Sequence, residues 1–298
     1  MSETPKIGDR MPPRQQTNWD ARAATNFICG GAGGGLLSAI ALASLRGEDL
    51  RPLVVLALLL VGIGLFAVWL EIGRPWRAIN VYLNAKTSWM TREAMTAPLL
   101  FVSGAAAVWF NSPAAFGIAG LLGLAYLYCQ GRMLHANKGI PAWRHASCVT
   151  LIIATGLAEG AGLLCVGALY WPGLAPFGIL LAVLLAVRLL AWRNYLASLR
   201  STGVPVGTSK ALDAIDGRLV WLGHALPAVL GVMAAWFGLP ALAALAGVLA
   251  AAAGGWLKYT LVCRAAFTQG FALPRTPSRG EGMTGPGVQP GWTGVRPL

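Results

Sequence analysis

Carboxylates are scarce in this chain. It has 11 Asp and Glu against 23 Lys and Arg in 298 residues, and only 11% of its residues are charged. A soluble domain keeps roughly a quarter of its residues charged, so a single water-facing globule is excluded and lipid must be part of the solvent. Histidine occurs three times and cysteine five, and no two cysteines have Cys-x-x-Cys spacing. The ligand patterns of iron–sulfur and zinc sites are therefore missing, and Cys29, Cys129, Cys148, Cys165 and Cys263 read as free core thiols. Nor does an apolar run follow closely on a short basic start. Met1 to Asp20 is polar and broken by prolines, unlike a cleaved leader, so the first apolar run is expected to be retained.

What the chain has in quantity is apolar run. Segments long enough to cross a bilayer extend over Asn26 to Leu45, Pro52 to Leu70, Met95 to Phe110, Phe116 to Leu134, Cys148 to Tyr170, Pro176 to Trp192, Leu219 to Phe237 and Ala241 to Cys263. They predict an all-α polytopic membrane protein of about eight transmembrane helices. Three connections, Asn111-Ser112-Pro113, Trp171-Pro172-Gly173 and Gly238-Leu239-Pro240, are short and proline-marked, so they predict antiparallel hairpins with all three turns on one side. The organisation expected is a polar segment 1–25, a membrane domain 26–267 and a Pro/Gly-rich tail 268–298. The tail is too poor in apolar residues to fold alone and reads as a linker or docking strap.

The net charge of +12 would suit nucleic acid, but 20 of the 23 basic residues fall on the side opposite the short turns, which carries only Arg46 and Arg51. That asymmetry is how membrane proteins fix orientation. It predicts that both termini and the long loops are cytoplasmic, and it argues against a nucleic-acid partner.

The loop between the second and third runs concentrates chemistry. It reads Glu71-Ile-Gly-Arg-Pro-Trp-Arg-Ala-Ile-Asn80 and then Thr87-Ser-Trp-Met-Thr-Arg-Glu93. Trp76, Ile79, Tyr82 and Leu83 recur at helical spacing, which predicts a segment lying in the interface with an apolar side toward lipid or a lipid-soluble ligand. Its Gly73-Arg74-Pro75 turn, the Arg77-Ala78-Ile79-Asn80 continuation and the Ser-x-x-x-x-Glu pattern of Ser88 and Glu93 resemble the membrane-anchor subunits of the dimethyl sulfoxide reductase family (DmsC-like). Arg264-Ala-Ala-Phe267 is a weaker echo. One departure is notable: where many members carry a His before the turn, this chain has Glu71, which keeps a proton-exchanging group with a different resting acidity.

The resemblance implies an eight-helix subunit that holds quinone, carries no metal itself, and exchanges electrons with a four-cluster iron–sulfur subunit served by a molybdopterin catalytic subunit. The wording of the two segments is most similar to anchors of cytoplasm-facing sulfite dehydrogenases and phenylacetyl-CoA:acceptor oxidoreductases. A quinone headgroup needs hydrogen-bond donors, a proton-exchanging group and an apolar mouth. Arg74, Arg77, Asn80 or Trp89 are the candidate donors, Glu71 and Glu93 the proton-exchanging pair, and Trp76 the ring cover. The same residues also permit a purely structural arrangement, with Glu71 paired to Arg74 and Glu93 to Arg92 or Arg77 at helix ends.

Other features support different classes. Glu159 falls midway along its run, where an ionisable group is costly unless paired, and depth along the antiparallel fifth and sixth helices pairs it with Arg188. That pair could be structural or could serve a secondary transporter. His145 and His224 fall near the same side and form a conceivable haem-ligand pair, although interfacial hydrogen bonding is the more ordinary use of such residues. The Gly30-Gly31-Ala32-Gly33-Gly34-Gly35 run lies inside the first helix and predicts close helix packing rather than a phosphate loop.

Overall fold

The computed structural model describes residues 11–72, 75–273, 275 and 288–293. Among them are eight helices long and apolar enough to span a membrane: α1 (Ala21–Arg46), α2 (Arg51–Glu71), α3 (Trp89–Phe110), α4 (Pro113–Ala136), α5 (Ala146–Leu169), α6 (Pro172–Thr202), α7 (Val206–Phe237) and α8 (Pro240–Arg264). Each apolar run corresponds to one helix, so the protein is an all-α multi-pass membrane protein. Several helices are longer than their runs. α7 begins at Val206 because Val206–Val220 is amphipathic and buries Thr208, Leu212, Ile215 and Leu219 along one stripe. α6 continues past Trp192 because Tyr195, Leu196 and Leu199 are still packed inward.

The hairpin turns are made by local chemistry. Asn111 takes a left-handed conformation at the end of α3 (φ 46°), Ser112 accepts from the Ala115 N–H, and Pro113 opens α4. At the α7/α8 turn Gly238 supplies the left-handed residue (φ 63°) and Pro240 starts the next helix. The prolines expected in the turns thus stand in the first turn of the following helix, where a missing N–H is harmless.

The glycine run packs as expected. α1 and α5 are the most enclosed of the eight helices, and their backbones touch at Gly35 against Gly156 and Gly160. A Cβ at Gly34 would lie 3.1 Å from the Gly123 carbonyl of α4, and one at Gly162 2.7 Å from the Gly247 carbonyl of α8. Small residues let four helices approach with no intervening side chains, which is how helices associate where no hydrophobic effect drives them together.

The first described residues meet the segment after α8 on the face opposite the short turns. Gln16 N–H donates to the Ala266 carbonyl and Thr268 N–H to the Arg14 carbonyl. The tail residues β2 (Trp292–Thr293) pair antiparallel with β1 (Val204–Pro205) between α6 and α7. Trp292 Nε1 also donates to the Gln269 carbonyl at 3.0 Å, and Arg144 sits 5.7 Å above its ring. The described part of the tail is therefore strapped to the bundle.

Candidate functional site

The loop between α2 and α3 holds a 3-10 helix, Pro75–Asn84. Its outer side leaves Trp76, Ile79 and Leu83 exposed at 76%, 71% and 76%, the apolar side expected from their spacing. Its inner side is tied to α3, where the Thr91 hydroxyl donates to the Val81 carbonyl. Beneath it, between α2 and α3, opens a cavity of about 610 Å³. Leu65, Phe66 and Trp69 form one wall, Ala94, Pro98 and Phe101 the other, and Ala78, Val81 and Tyr82 the roof. Pro98 has no N–H to offer the Ala94 carbonyl one turn earlier, so an acceptor is left on the wall that both residues line. Asn26 and Glu93 close the inner end.

Glu93 is 4% exposed although it stands only one turn inside α3. Asn26 Nδ2 donates to its Oε1 at 3.1 Å, and the Tyr126 hydroxyl donates to Asn26 Oδ1 at 3.2 Å. Gln130 Nε2 donates to the Asn26 carbonyl at 2.9 Å, at the head of a wide π turn, Asn26–Gly30, within α1. Tyr126 and Gln130 also approach the Glu93 carboxyl. Gly64 of α2 makes room for this group, since a Cβ there would meet Asn26 Oδ1 at 2.9 Å. A carboxyl at the closed end of an apolar, side-open cavity, held by neutral donors, can exchange a proton with a bound ring oxygen.

The structural pairings of Glu93 considered from sequence do not form. Arg92 instead donates to the Ala85 and Lys86 carbonyls and lies 4.1 Å over the Trp89 ring. Trp89 is packed with Arg132, 4.6 Å over its ring, and edge-on against Tyr128, away from the cavity lining. Trp76, Arg77 and Asn80 are exposed on the surface helix. Arg74 lies outside the described residues, as does any pairing of it with Glu71. Glu71, half-buried at the end of α2, stands beside Arg22 and Asp20. Arg22 Nη1 donates to the neighbouring Leu70 carbonyl at 3.1 Å, and its hydrogen bonds hold the Asp20 carboxyl below the usual carboxylate range. Among the described candidate donors and proton-exchanging residues, Glu93 alone lines the cavity, joined there by Ile79 and Tyr82 of the surface helix, and Glu71 stands one residue before Ile72, which also lines it. Asn26, Tyr126 and Gln130 were missed.

A second buried cluster corrects the pairing of Glu159. Its partner is Lys258 of α8, whose Nζ donates to Oε2. α8 packs on α5 through glycines, and a Cβ at Gly254 would meet Glu159 Cγ at 2.6 Å, so the next turn of α8 brings Lys258 onto the carboxylate. Arg188 is turned toward α7 and α8, donating from Nε to His224 Nε2 at 3.1 Å and to the Ala250 and Gly223 carbonyls. Depth along two helices suggested Arg188, but its guanidinium is spent on His224 and on the α7 and α8 carbonyls. Lys258, 0% exposed, also leaves the count of surface cations one lower on the terminal face.

His224 is consumed by this arrangement. Arg188 Nε can only donate and the Leu219 carbonyl only accept, so Nε2 is the acceptor and Nδ1, at 2.7 Å from that carbonyl, carries the proton. His145 caps α5 by accepting from the Ser147 N–H. The two histidines are thus engaged separately as hydrogen-bonding groups, the more ordinary of the two readings, and not as a facing pair. Among the described residues no group of three or more His, Cys, Asp or Glu is placed to hold a metal.

Residues 28–191, more than half of the chain, match the family model described as DMSO reductase anchor subunit (DmsC). The match runs from the π turn of α1 into α6 and takes in Glu71, Glu93, Tyr126, Gln130 and Glu159. No curated protein matches the chain.

Proposed function

The chain belongs to the DMSO reductase anchor subunit family, and from that premise we propose that it binds quinone in the cavity beneath the surface helix and couples it to an iron–sulfur subunit. It is a multi-pass membrane anchor of a DMSO reductase-type complex. The observation that carries the quinone reading is the cavity itself: about 610 Å³, almost wholly apolar along its walls, with Glu93 and Asn26 at its inner end.

In this reading the isoprenoid chain of the quinone leaves between α2 and α3 toward lipid, and the headgroup lies against Glu93. Asn26 orients the carboxyl, and the Ala94 carbonyl offers a second acceptor. The exposed Trp76, Ile79 and Leu83 seat the surface helix in the interface. Arg77, Asn80 and Trp89 belong to the protein-water rim, and Glu71 exchanges protons between Glu93 and water on that side.

The partners proposed are a four-cluster iron–sulfur subunit, docked on the face that carries both termini, and a molybdopterin catalytic subunit beyond it. The basic bias of that face supports a cytoplasmic orientation in a bacterial inner membrane. Substrate electrons would then enter from the cytoplasm and reduce quinone, as in a sulfite dehydrogenase or a phenylacetyl-CoA:acceptor oxidoreductase.

The test is a mild-detergent purification through a tag on this chain, with mass spectrometry, molybdenum and iron analysis, and quinone titration of the eluate. Recovery of a molybdoprotein and a ferredoxin-like protein with a saturable quinone site is the expected result. A metal-free single protein that binds no quinone under several gentle conditions would overturn it.

A further inference from the structure

Among the described residues, the fully buried charged side chains are Glu93, Glu159, Arg188 and Lys258. Two are acids and two are bases, so the interior is neutral when all four are ionised. It is equally neutral when one proton moves from Lys258 to Glu93, because Arg188 remains to balance Glu159. Displacements that conserve net charge avoid most of the cost of charging a low-dielectric interior.

The two ends of that displacement are joined by polar atoms. Gln130 donates to the Asn26 carbonyl through Nε2, while its Oε1 is buried without a hydrogen-bond partner, as is Glu159 Oε1. Gly31 explains how Gln130 and Lys258 come together. A Cβ there would lie 3.0 Å from Gln130 Oε1 and closer still to Lys258 Nζ, so the missing side chain leaves these two groups facing one space. On the other side, a Cβ at Gly30 would lie 3.0 Å from both Gln130 Nε2 and the Tyr126 hydroxyl. Unpartnered buried acceptors beside a buried ammonium are the setting in which proteins hold internal water.

We propose that Lys258 is a proton store for the cavity, exchanging a proton with Glu93 through water held at Gln130 and the Tyr126 hydroxyl, with Arg188 carrying the balancing charge. The step breaks a Lys258 Nζ–H bond and forms an O–H bond on Glu93, and no electrons move. This rests on the quinone reading. Reduction of quinone to quinol takes two electrons, from the iron–sulfur partner, and two protons. Glu93 gives one, and Lys258 reloads Glu93 for the second before the cavity exchanges with bulk water. Oxidation of quinol runs the same transfers in reverse. Gln130 and Arg188 are positioning residues in this scheme.

The test uses the assembled complex, purified through this chain and placed in lipid nanodiscs, with short-chain ubiquinone and menaquinone analogues. Binding is titrated separately from turnover. Two variants are compared: Gln130→Leu, which interrupts the connection, and the double variant Glu159→Leu with Lys258→Met, which removes the store without leaving an unpaired charge in place of the pair. Both are expected to keep analogue affinity within about twofold while turnover falls about tenfold and the solvent deuterium isotope effect grows. Unchanged turnover in a folded double variant would overturn the proposal, as would affinity and turnover lost together, the mark of a structural role. An unaltered complex that binds neither analogue removes the quinone reading and this inference with it, and the titration alone reveals that outcome.

Discussion

Asn26 Nδ2 donates to Glu93 Oε1 over 3.1 Å, so one hydrogen bond closes the inner end of the cavity and joins α1 to α3. Glu93→Gln preserves the side chain's shape and, through the amide oxygen, the bond accepted from Asn26 Nδ2, while removing the exchangeable proton. Quinone turnover is expected to fall about a hundredfold with analogue affinity nearly unchanged. Equal loss of affinity would show that Glu93 serves binding alone. Asn26→Leu deprives the buried carboxyl of its donor, for which about 1–3 kcal/mol of stability should be lost, read as a lower thermal midpoint in detergent.

Glu71 stands outside the cavity lining beside the Asp20–Arg22 pair. Glu71→Gln is therefore expected to slow turnover less than Glu93→Gln does, by a few-fold, with assembly intact. A larger effect at Glu71 than at Glu93 would transfer the principal proton-exchanging role to the rim.

The contact of Gly35 with Gly156 leaves no room for a side chain. Gly35→Val should separate α1 from α5 and destabilise the bundle by about 1–3 kcal/mol or more. Size-exclusion chromatography in mild detergent, with thermal unfolding of whatever survives, measures this. A normal profile would mean the two helices can slide apart at little cost.

Lys258 and Glu159 form a pair with essentially no solvent exposure on either side. Lys258→Met alone takes away the hydrogen-bond donor of a buried carboxylate whose charge Arg188 still balances, and is expected to cost about 1–3 kcal/mol, whereas adding Glu159→Leu should restore most of it. A thermal-midpoint comparison of the single and double variants decides between this and a pair that contributes nothing.

Trp292 fastens the tail by its hydrogen bond to the Gln269 carbonyl and by its place in β2. Trp292→Ala should make the last residues susceptible to limited proteolysis and reduce recovery of soluble partners with this chain, while quinone affinity stays within about twofold. Resistance equal to that of the unaltered protein would show that the remaining strand bonds suffice.

The eight helices were legible because each carries a long apolar run, and the surface helix because Trp76, Ile79 and Leu83 keep a helical period. Glu93 was legible by residue type and position. What escaped was rotation about the helix axis. Counting along α5 and α6 pairs Arg188 with Glu159, but the glycine contacts of α5 with α8 decide that Lys258 reaches the carboxylate. Lys258 itself is counted with the cations of the terminal face because it stands two turns from the end of its helix. Asn26 and Gln130 were overlooked as ordinary polar residues near run ends. Their signal was an amide inside an apolar helix, with Tyr126 and Gln130 four residues apart on one face.

The π turns at Asn26–Gly30 in α1, Trp221–Ala225 in α7 and Thr260–Arg264 in α8 have an implication for how this family can vary. Each stretches one turn of its helix by an extra residue, and one residue corresponds to about 100° of helical phase. Asn26 thus faces Glu93 in a phase that an uninterrupted α1 would not give it. Loss of a single residue anywhere from Asn26 to Gly30 would swing the preceding segment around the helix by roughly a quarter turn or more while leaving hydropathy untouched. An alignment of relatives should therefore tolerate many apolar exchanges in this stretch and very few length changes.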